Sequence, residues 1–167
     1  MRAAVPVAAL GLALLLAPPS LAEAPAPTPT PTPPPAVVTT FKPDDLAAIL
    51  RGAGYRAEIV HVKDEYRINT GMSGRKVTVF LYCNTDGDCG SLDWDLNYNA
   101  EPDFSLTLAN KFNRDKRYAK VYIGTDGSIY LEYGVAFGGG VTGDTVAASA
   151  RLFERLIGEF DNALNTK

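Results

Sequence analysis

The chain has 167 residues and a formal net charge of −3, with one histidine and two cysteines. The mild acidic excess argues against nucleic acid or an anionic membrane as the main partner. With so few histidines and cysteines, a four-ligand zinc site would need carboxylates at unusual spacing, and we predict no zinc.

Residues 1–22 have the pattern of a secretory signal peptide. Arg2 precedes an apolar run at 5–17, and small residues suited to cleavage surround Ala22. The run is shorter than the ~20 apolar residues that a membrane-spanning helix needs. We therefore predict export to a periplasmic or secreted location without a membrane span, and the exact cleavage site stays open.

Residues 23–40 are rich in proline, threonine and alanine, a composition that favours extended polyproline II structure. We interpret this segment as a spacer, and a proline-recognition ligand is the alternative. The remaining residues, 41–167, are enough for one folded domain with its own core.

Hydrophobic periodicity and turn residues predict helices and strands in this domain. The predicted order is a helix at 43–53, strands at 55–62, 66–70, 75–83 and 92–98, a helix at 102–113, strands at 118–123 and 128–135, and a helix at 143–164. This order, α-β-β-β-β-α-β-β-α, indicates an α+β fold with a mainly antiparallel sheet and helices packed on it.

The two cysteines, Cys83 and Cys89, flank a turn-rich loop between the third and fourth predicted strands. Alternation favours Leu81 opposite Leu92, but that register cannot also place the cysteines directly opposite each other in a regular ladder. We therefore predict a disulfide with Cys89 in the loop or at a β-bulge. Two cysteines in an exported chain favour a disulfide over a metal pair.

The last two strands form a predicted hairpin with Ile123 opposite Ile129 and a three-residue loop that ends at Gly127. This register places Lys120 opposite Glu132 on the outer face of the sheet. Tyrosines are expected around this pair, and such amphipathic side chains are common in protein interfaces. The candidate partner-binding residues are Tyr118, Lys120, Tyr122, Tyr130 and Glu132.

No nucleophile with a base is evident, and we predict no catalytic residue, metal or cofactor. His61 lies between two valines and is interpreted as an ordinary strand histidine. Asn84, Asp86 and Asp88 alternate as in a calcium loop, but Cys89 stands where the turn glycine should be. We interpret the loop as a turn, and whether it binds a cation stays open.

Several segments together carry a resemblance to a known family. They are the helix end at 50–55, the strand and loop at 79–92, the asparagines Asn110 and Asn113, the segment at 117–127, the turn at 139–142, and the spaced Phe153 and Phe160. The chain resembles the YbjN domain family over about residues 42–160. It departs from the pattern in having Phe112 where a tryptophan is common.

The YbjN family is described as bacterial sensory transduction regulators. The resemblance implies an α+β fold similar to type III secretion chaperones and a regulatory or binding role without an established reaction. Because a signal peptide sets this chain apart from cytoplasmic members, a cytoplasmic signalling role is not carried over.

We therefore predict an exported, non-enzymatic binding or regulatory domain that holds a protein or peptide on its sheet face or an exposed helix groove. A homodimer is compatible with this role. The alternative is a metal-dependent or carboxylate-based envelope enzyme that uses Asp86, Asp88, Asp93 and Asp95. A purely structural envelope protein is a third option.

Overall fold

The computed structural model describes residues 35–99 and 104–165, so the predicted signal peptide and most of the spacer lie outside the described residues. The described part contains three helices and six strands in the predicted order. The elements are α1 (Pro43–Gly52), β1 (Glu58–Val62), β2 (Glu65–Met72), β3 (Arg75–Cys83), β4 (Cys89–Tyr98), α2 (Leu106–Asp115), β5 (Lys120–Ile123), β6 (Ile129–Ala136) and α3 (Gly143–Asn165).

The six strands form one sheet in the order β1-β2-β3-β4-β6-β5. All neighbouring strands are antiparallel. After β4 the chain passes through α2 and returns as β5 at the far edge, and β6 then fills the place beside β4. The predicted α+β class and mainly antiparallel sheet are thus confirmed.

Alternation along the strands gives the sheet one apolar face, which the helices cover. Trp94 of β4 is fully buried there, and its ring lies 6.0 Å from that of Phe153 on α3. The indole nitrogen of Trp94 donates a hydrogen bond to Ser149 Oγ at 3.1 Å. This buried contact attaches α3 to the centre of the sheet.

Helix α2 begins later than the sequence predicts. Ser105 has extended backbone dihedrals and its hydroxyl accepts a hydrogen bond from Leu108 N at 3.2 Å, so it caps the helix. The predicted start at 102 lies outside the described residues, and residues 104 and 105 are not helical. Phe104 and Phe112 both pack edge-on against Phe160 of α3.

Helix α3 matches its prediction to within one residue at its end. Thr142 Oγ1 accepts a hydrogen bond from Thr145 N at 3.2 Å, so Thr142 caps the helix. Apolar side chains form a stripe along α3 that is buried from Val146 to Phe160. A stripe of this width requires a large partner surface, which the apolar face of the sheet supplies.

Two isolated bridges attach the segment before α1 to the rest of the fold. Val38 pairs with Val141, and Phe41 pairs with Cys89. Val38 therefore contacts the fold although it precedes the predicted start of the domain at residue 41. Among the described residues, no helix is both long enough and apolar enough to cross a membrane.

Candidate binding surface

The β3–β4 hairpin resolves the conflict between its apolar register and its cysteines by a bulge. Leu81 lies opposite Leu92, and the register shifts between Tyr82 and Cys83 so that Cys83 pairs with Cys89. A disulfide joins these two cysteines. The extra residue of a bulge changes the pairing parity, so both the apolar pairing and the bridge are accommodated.

The loop between the cysteines is held by bonds within the protein. Asn84 Oδ1 accepts hydrogen bonds from the backbone nitrogens of Asp86 at 3.0 Å and Asp88 at 2.9 Å. Lys42 Nζ lies 2.7 Å from the Asp86 carbonyl oxygen and 2.9 Å from Asp88 Oδ1. Over residues 35–99 and 104–165, no three acidic, histidine or cysteine side chains are grouped to hold a metal ion.

The face of the sheet opposite the helices carries a row of charged side chains. Lys120 of β5 lies opposite Glu132 of β6, as predicted, and Glu132 lies opposite Asp95 of β4. Lys120 Nζ is 2.5 Å from Glu132 Oε2. The row thus contains two neighbouring carboxylates and one ammonium group.

Two of the predicted tyrosines lie beside this row. The rings of Tyr122 and Tyr130 are stacked with centroids 5.1 Å apart and an interplanar angle of 11°. The Tyr122 hydroxyl donates a hydrogen bond to Glu132, and Lys120 Nζ lies 4.8 Å from the Tyr122 ring centroid. Burial and the Glu132 carboxylate raise the pKa of Tyr122 above its usual value. The phenol therefore stays protonated as a donor.

The structure corrects the expected position of Tyr118. We expected it on the outer face with Tyr122 and Tyr130, but its ring lies 6.1 Å from that of Tyr133. Tyr133 is opposite Trp94, so its side chain points to the helix-covered face. Tyr118 has a positive φ of 73°, which ends the strand alternation assumed in the prediction.

Asp93 and Asp95 of β4, which the sequence suggested only as residues of an alternative enzyme, lie on the same outer face as Glu132 and Lys120. Burial raises the pKa of Asp95 to about 6, the Glu132 and Asp93 carboxylates add to the shift, and Lys120 opposes it. Alternation already puts both aspartates on the outer face of β4, but β6 as the neighbouring strand could not be predicted from local pattern.

Tyr82 and Gly134 determine where the Asp93 carboxylate lies. The Tyr82 hydroxyl donates to Asp93 Oδ2 at 2.9 Å, which with burial raises the pKa of Tyr82 to about 12. Gly134 lies opposite Asp93 on β6. A Cβ at Gly134 would stand 2.6 Å from Asp93 Oδ1, so only glycine leaves the carboxylate its present place.

We define the outer-face cluster as Tyr82, Asp93, Asp95, Lys120, Tyr122, Tyr130 and Glu132. Aromatic faces, hydroxyl donors, carboxylates and one ammonium group lie together in it. Tyr82 is 56% exposed, so the cluster is open to a ligand along β3. A separate cavity of about 280 Å³ lies near the β1 end of the sheet and is lined in part by Arg56, Glu58 and Lys76.

Comparison with known proteins identifies the family of the chain. No curated protein matches it. The family model YbjN, described as putative bacterial sensory transduction regulator, matches residues 42–166, which is nearly the entire described region. The match confirms the resemblance inferred from the sequence motifs. The chain belongs to the YbjN family.

Proposed function

We propose that this chain is an exported, non-enzymatic binding or regulatory domain that holds a protein or peptide partner on the outer-face cluster. The observation that supports this proposal best is the position of the cluster. It lies on the face of the sheet opposite the helices, where stacked Tyr122 and Tyr130 stand beside charged groups. Tyrosines are enriched in protein interfaces, and charged groups around them select a partner of complementary charge.

The charges of the cluster favour a partner with basic side chains. Asp93, Asp95 and Glu132 outnumber Lys120, and the Asp95 and Glu132 carboxylates lie directly opposite each other. A lysine or arginine from a partner would relieve this repulsion, and a guanidinium could also stack on a tyrosine ring. We therefore propose a partner segment with basic and aromatic or aliphatic side chains.

Affinity capture from the native cell envelope, after mild crosslinking and with mass-spectrometric detection, tests the binding role. The double variant Tyr122→Ala/Tyr130→Ala should lose the partner that the unmodified protein captures. Tyr118→Ala is the matched control, because it removes an exposed tyrosine of the opposite face. Equal capture by all three proteins would remove the outer-face cluster as the binding surface.

Export is part of the proposal and rests on the signal-peptide pattern of residues 1–22. Cell fractionation followed by N-terminal sequencing tests it. We expect the protein in the periplasm or medium with its N-terminus close to Glu23. Protein found only in the cytoplasm with an intact N-terminus would contradict export.

A carboxylate-based or metal-dependent enzyme is the second candidate, and the raised pKa of Asp95 is the observation that favours it. The four aspartates of this candidate do not lie at one site. Asp86 and Asp88 contact Lys42, whereas Asp93 and Asp95 belong to the outer-face cluster. Calorimetry with calcium, magnesium and manganese tests the metal-dependent form of this candidate, because heat of metal binding would favour it over a binding module.

A further inference from the structure

The two edge strands of the sheet, β1 and β5, differ in how their outward-pointing backbone groups are hydrogen-bonded. At the β5 edge, a side chain forms the hydrogen bonds that a neighbouring strand would form. The Asn113 amide nitrogen donates to the Val121 carbonyl oxygen at 2.9 Å, and its oxygen accepts from Val121 N at 2.7 Å. These two bonds satisfy the outward-pointing backbone groups in the middle of β5. Such coverage prevents another strand from pairing there.

The β1 edge has no such cover. β1 and β2 are joined by a two-residue turn, with Val62 opposite Glu65. The two residues that close such a turn are hydrogen-bonded to each other through their backbone N–H and C=O groups. Alternation then directs the backbone of Val60 toward β2 and that of Ile59 and His61 outward. Over residues 35–99 and 104–165, no backbone hydrogen bond from another element reaches these two residues.

We propose that β1 is a self-association edge, at which β1 of a second copy pairs antiparallel about Val60 and joins the two sheets. In this register Ile59 lies opposite His61 of the second copy, and the reverse pair is equivalent by twofold symmetry. The outward-pointing backbone groups of both copies then bond to each other. The edge ends at Ala57, whose carbonyl oxygen already accepts from Arg51 at 2.8 Å.

The side chains in this register also fit a second copy. Continued just beyond the ends of β1, this register brings Arg56 near Asp64 of the second copy, and this pair of opposite charges occurs twice in the dimer. Arg56 and Asp64 are both exposed, and neither forms an ion pair with a residue of the described ranges. Val62, which is 53% exposed, would be partly covered. No like charges are opposed across the pairing.

Sedimentation equilibrium on the purified protein tests the proposal, and we expect a reversible monomer–dimer equilibrium. His61→Pro removes an outward N–H donor from an edge strand, where proline is tolerated, and should raise the dimer dissociation constant at least about tenfold. His61→Ala is the matched control. It loses the same side-chain stacking on Tyr66 but keeps the N–H, and it should dimerise like the unmodified protein.

A charge reversal provides a second test that does not depend on folding of the proline variant. Asp64→Arg should weaken the dimer by opposing two arginines, and Arg56→Asp combined with Asp64→Arg should restore it. A monomeric unmodified protein, or a dimer indifferent to both tests, would overturn the proposal. Neither test involves the outer-face cluster, so partner capture and self-association succeed or fail separately.

Discussion

Asp95 and Glu132 lie directly opposite each other on β4 and β6, with Lys120 bonded to the far side of Glu132. Like charges at directly opposed positions weaken a strand pair. The sheet carries this unfavourable pair on its outer face, where a basic partner could relieve it. This opposition contributes to the raised pKa of Asp95, and the proposed basic partner is inferred from it.

The first prediction concerns pH. Burial, with the Glu132 and Asp93 carboxylates, raises the pKa of Asp95 from its ordinary value of 3.8 to about 6, so folding favours the protonated carboxyl. Its contribution to stability is therefore fully present below about pH 4 and is lost as the pH rises through about 6. Asp95→Asn should stabilise the protein by roughly 1–2 kcal/mol at pH 7.5 and much less at pH 4.

Urea denaturation of both proteins at the two pH values measures this difference. Other carboxyl groups titrate in the same range, but their contributions cancel when the variant is compared with the unmodified protein. Asp64→Asn, an exposed aspartate of the β1–β2 turn, serves as the control. An Asp95→Asn effect that is equal at both pH values would contradict the raised pKa.

The second prediction concerns the stacked tyrosines. Tyr122→Ala combined with Tyr130→Ala should weaken partner binding by at least about tenfold, because buried aromatic residues dominate interface energies. Both side chains are only half-buried in the free protein, so the domain should remain folded. Circular dichroism checks the fold and surface plasmon resonance with the captured partner measures affinity. Unchanged affinity would be the contrary result.

The third prediction concerns the buried contact between Trp94 and Ser149. Ser149→Ala leaves the indole N–H without its acceptor and should lower the free energy of unfolding by about 1–3 kcal/mol. Trp94 is the only tryptophan, so its fluorescence reports unfolding directly. Ser91→Ala on the outer face should have a much smaller effect, and equal effects would argue against the hydrogen bond.

The fourth prediction concerns Asn113. Asn113→Ala should expose the backbone of Val121 at the β5 edge, reduce stability by about 1–2 kcal/mol and increase aggregation. Light scattering during thermal unfolding, together with chemical denaturation, measures both effects. Asn110→Ala on the exposed surface of α2 is the control. An Asn113 variant as soluble and stable as this control would refute the edge-covering role.

The fifth prediction concerns the disulfide. Its loop is short, so reduction should lower the free energy of unfolding by at most about 2–3 kcal/mol without unfolding the protein. Thermal unfolding with and without reductant measures the loss. Cys83→Ala combined with Cys89→Ala should be insensitive to reductant. If reduction leaves the unmodified protein equally stable and both thiols titrate freely without it, the bridge is absent.

Local patterns determined most of the fold. The order of helices and strands, the pairing of Leu81 with Leu92, and the pairing of Lys120 with Glu132 were all predicted correctly. Each depends on strand alternation and on the length of the loop that joins two neighbouring strands. These properties involve residues close in sequence, so they can be worked out from the sequence alone.

Only the tertiary structure decided which distant residues meet. The sequence does not specify that β6 lies beside β4, and so the opposition of Asp95 and Glu132 was not predicted. The bond of Lys42 to the loop after Cys83 was missed for the same reason. Such contacts depend on how separate elements pack against a common core, and that packing is determined by all of the elements together.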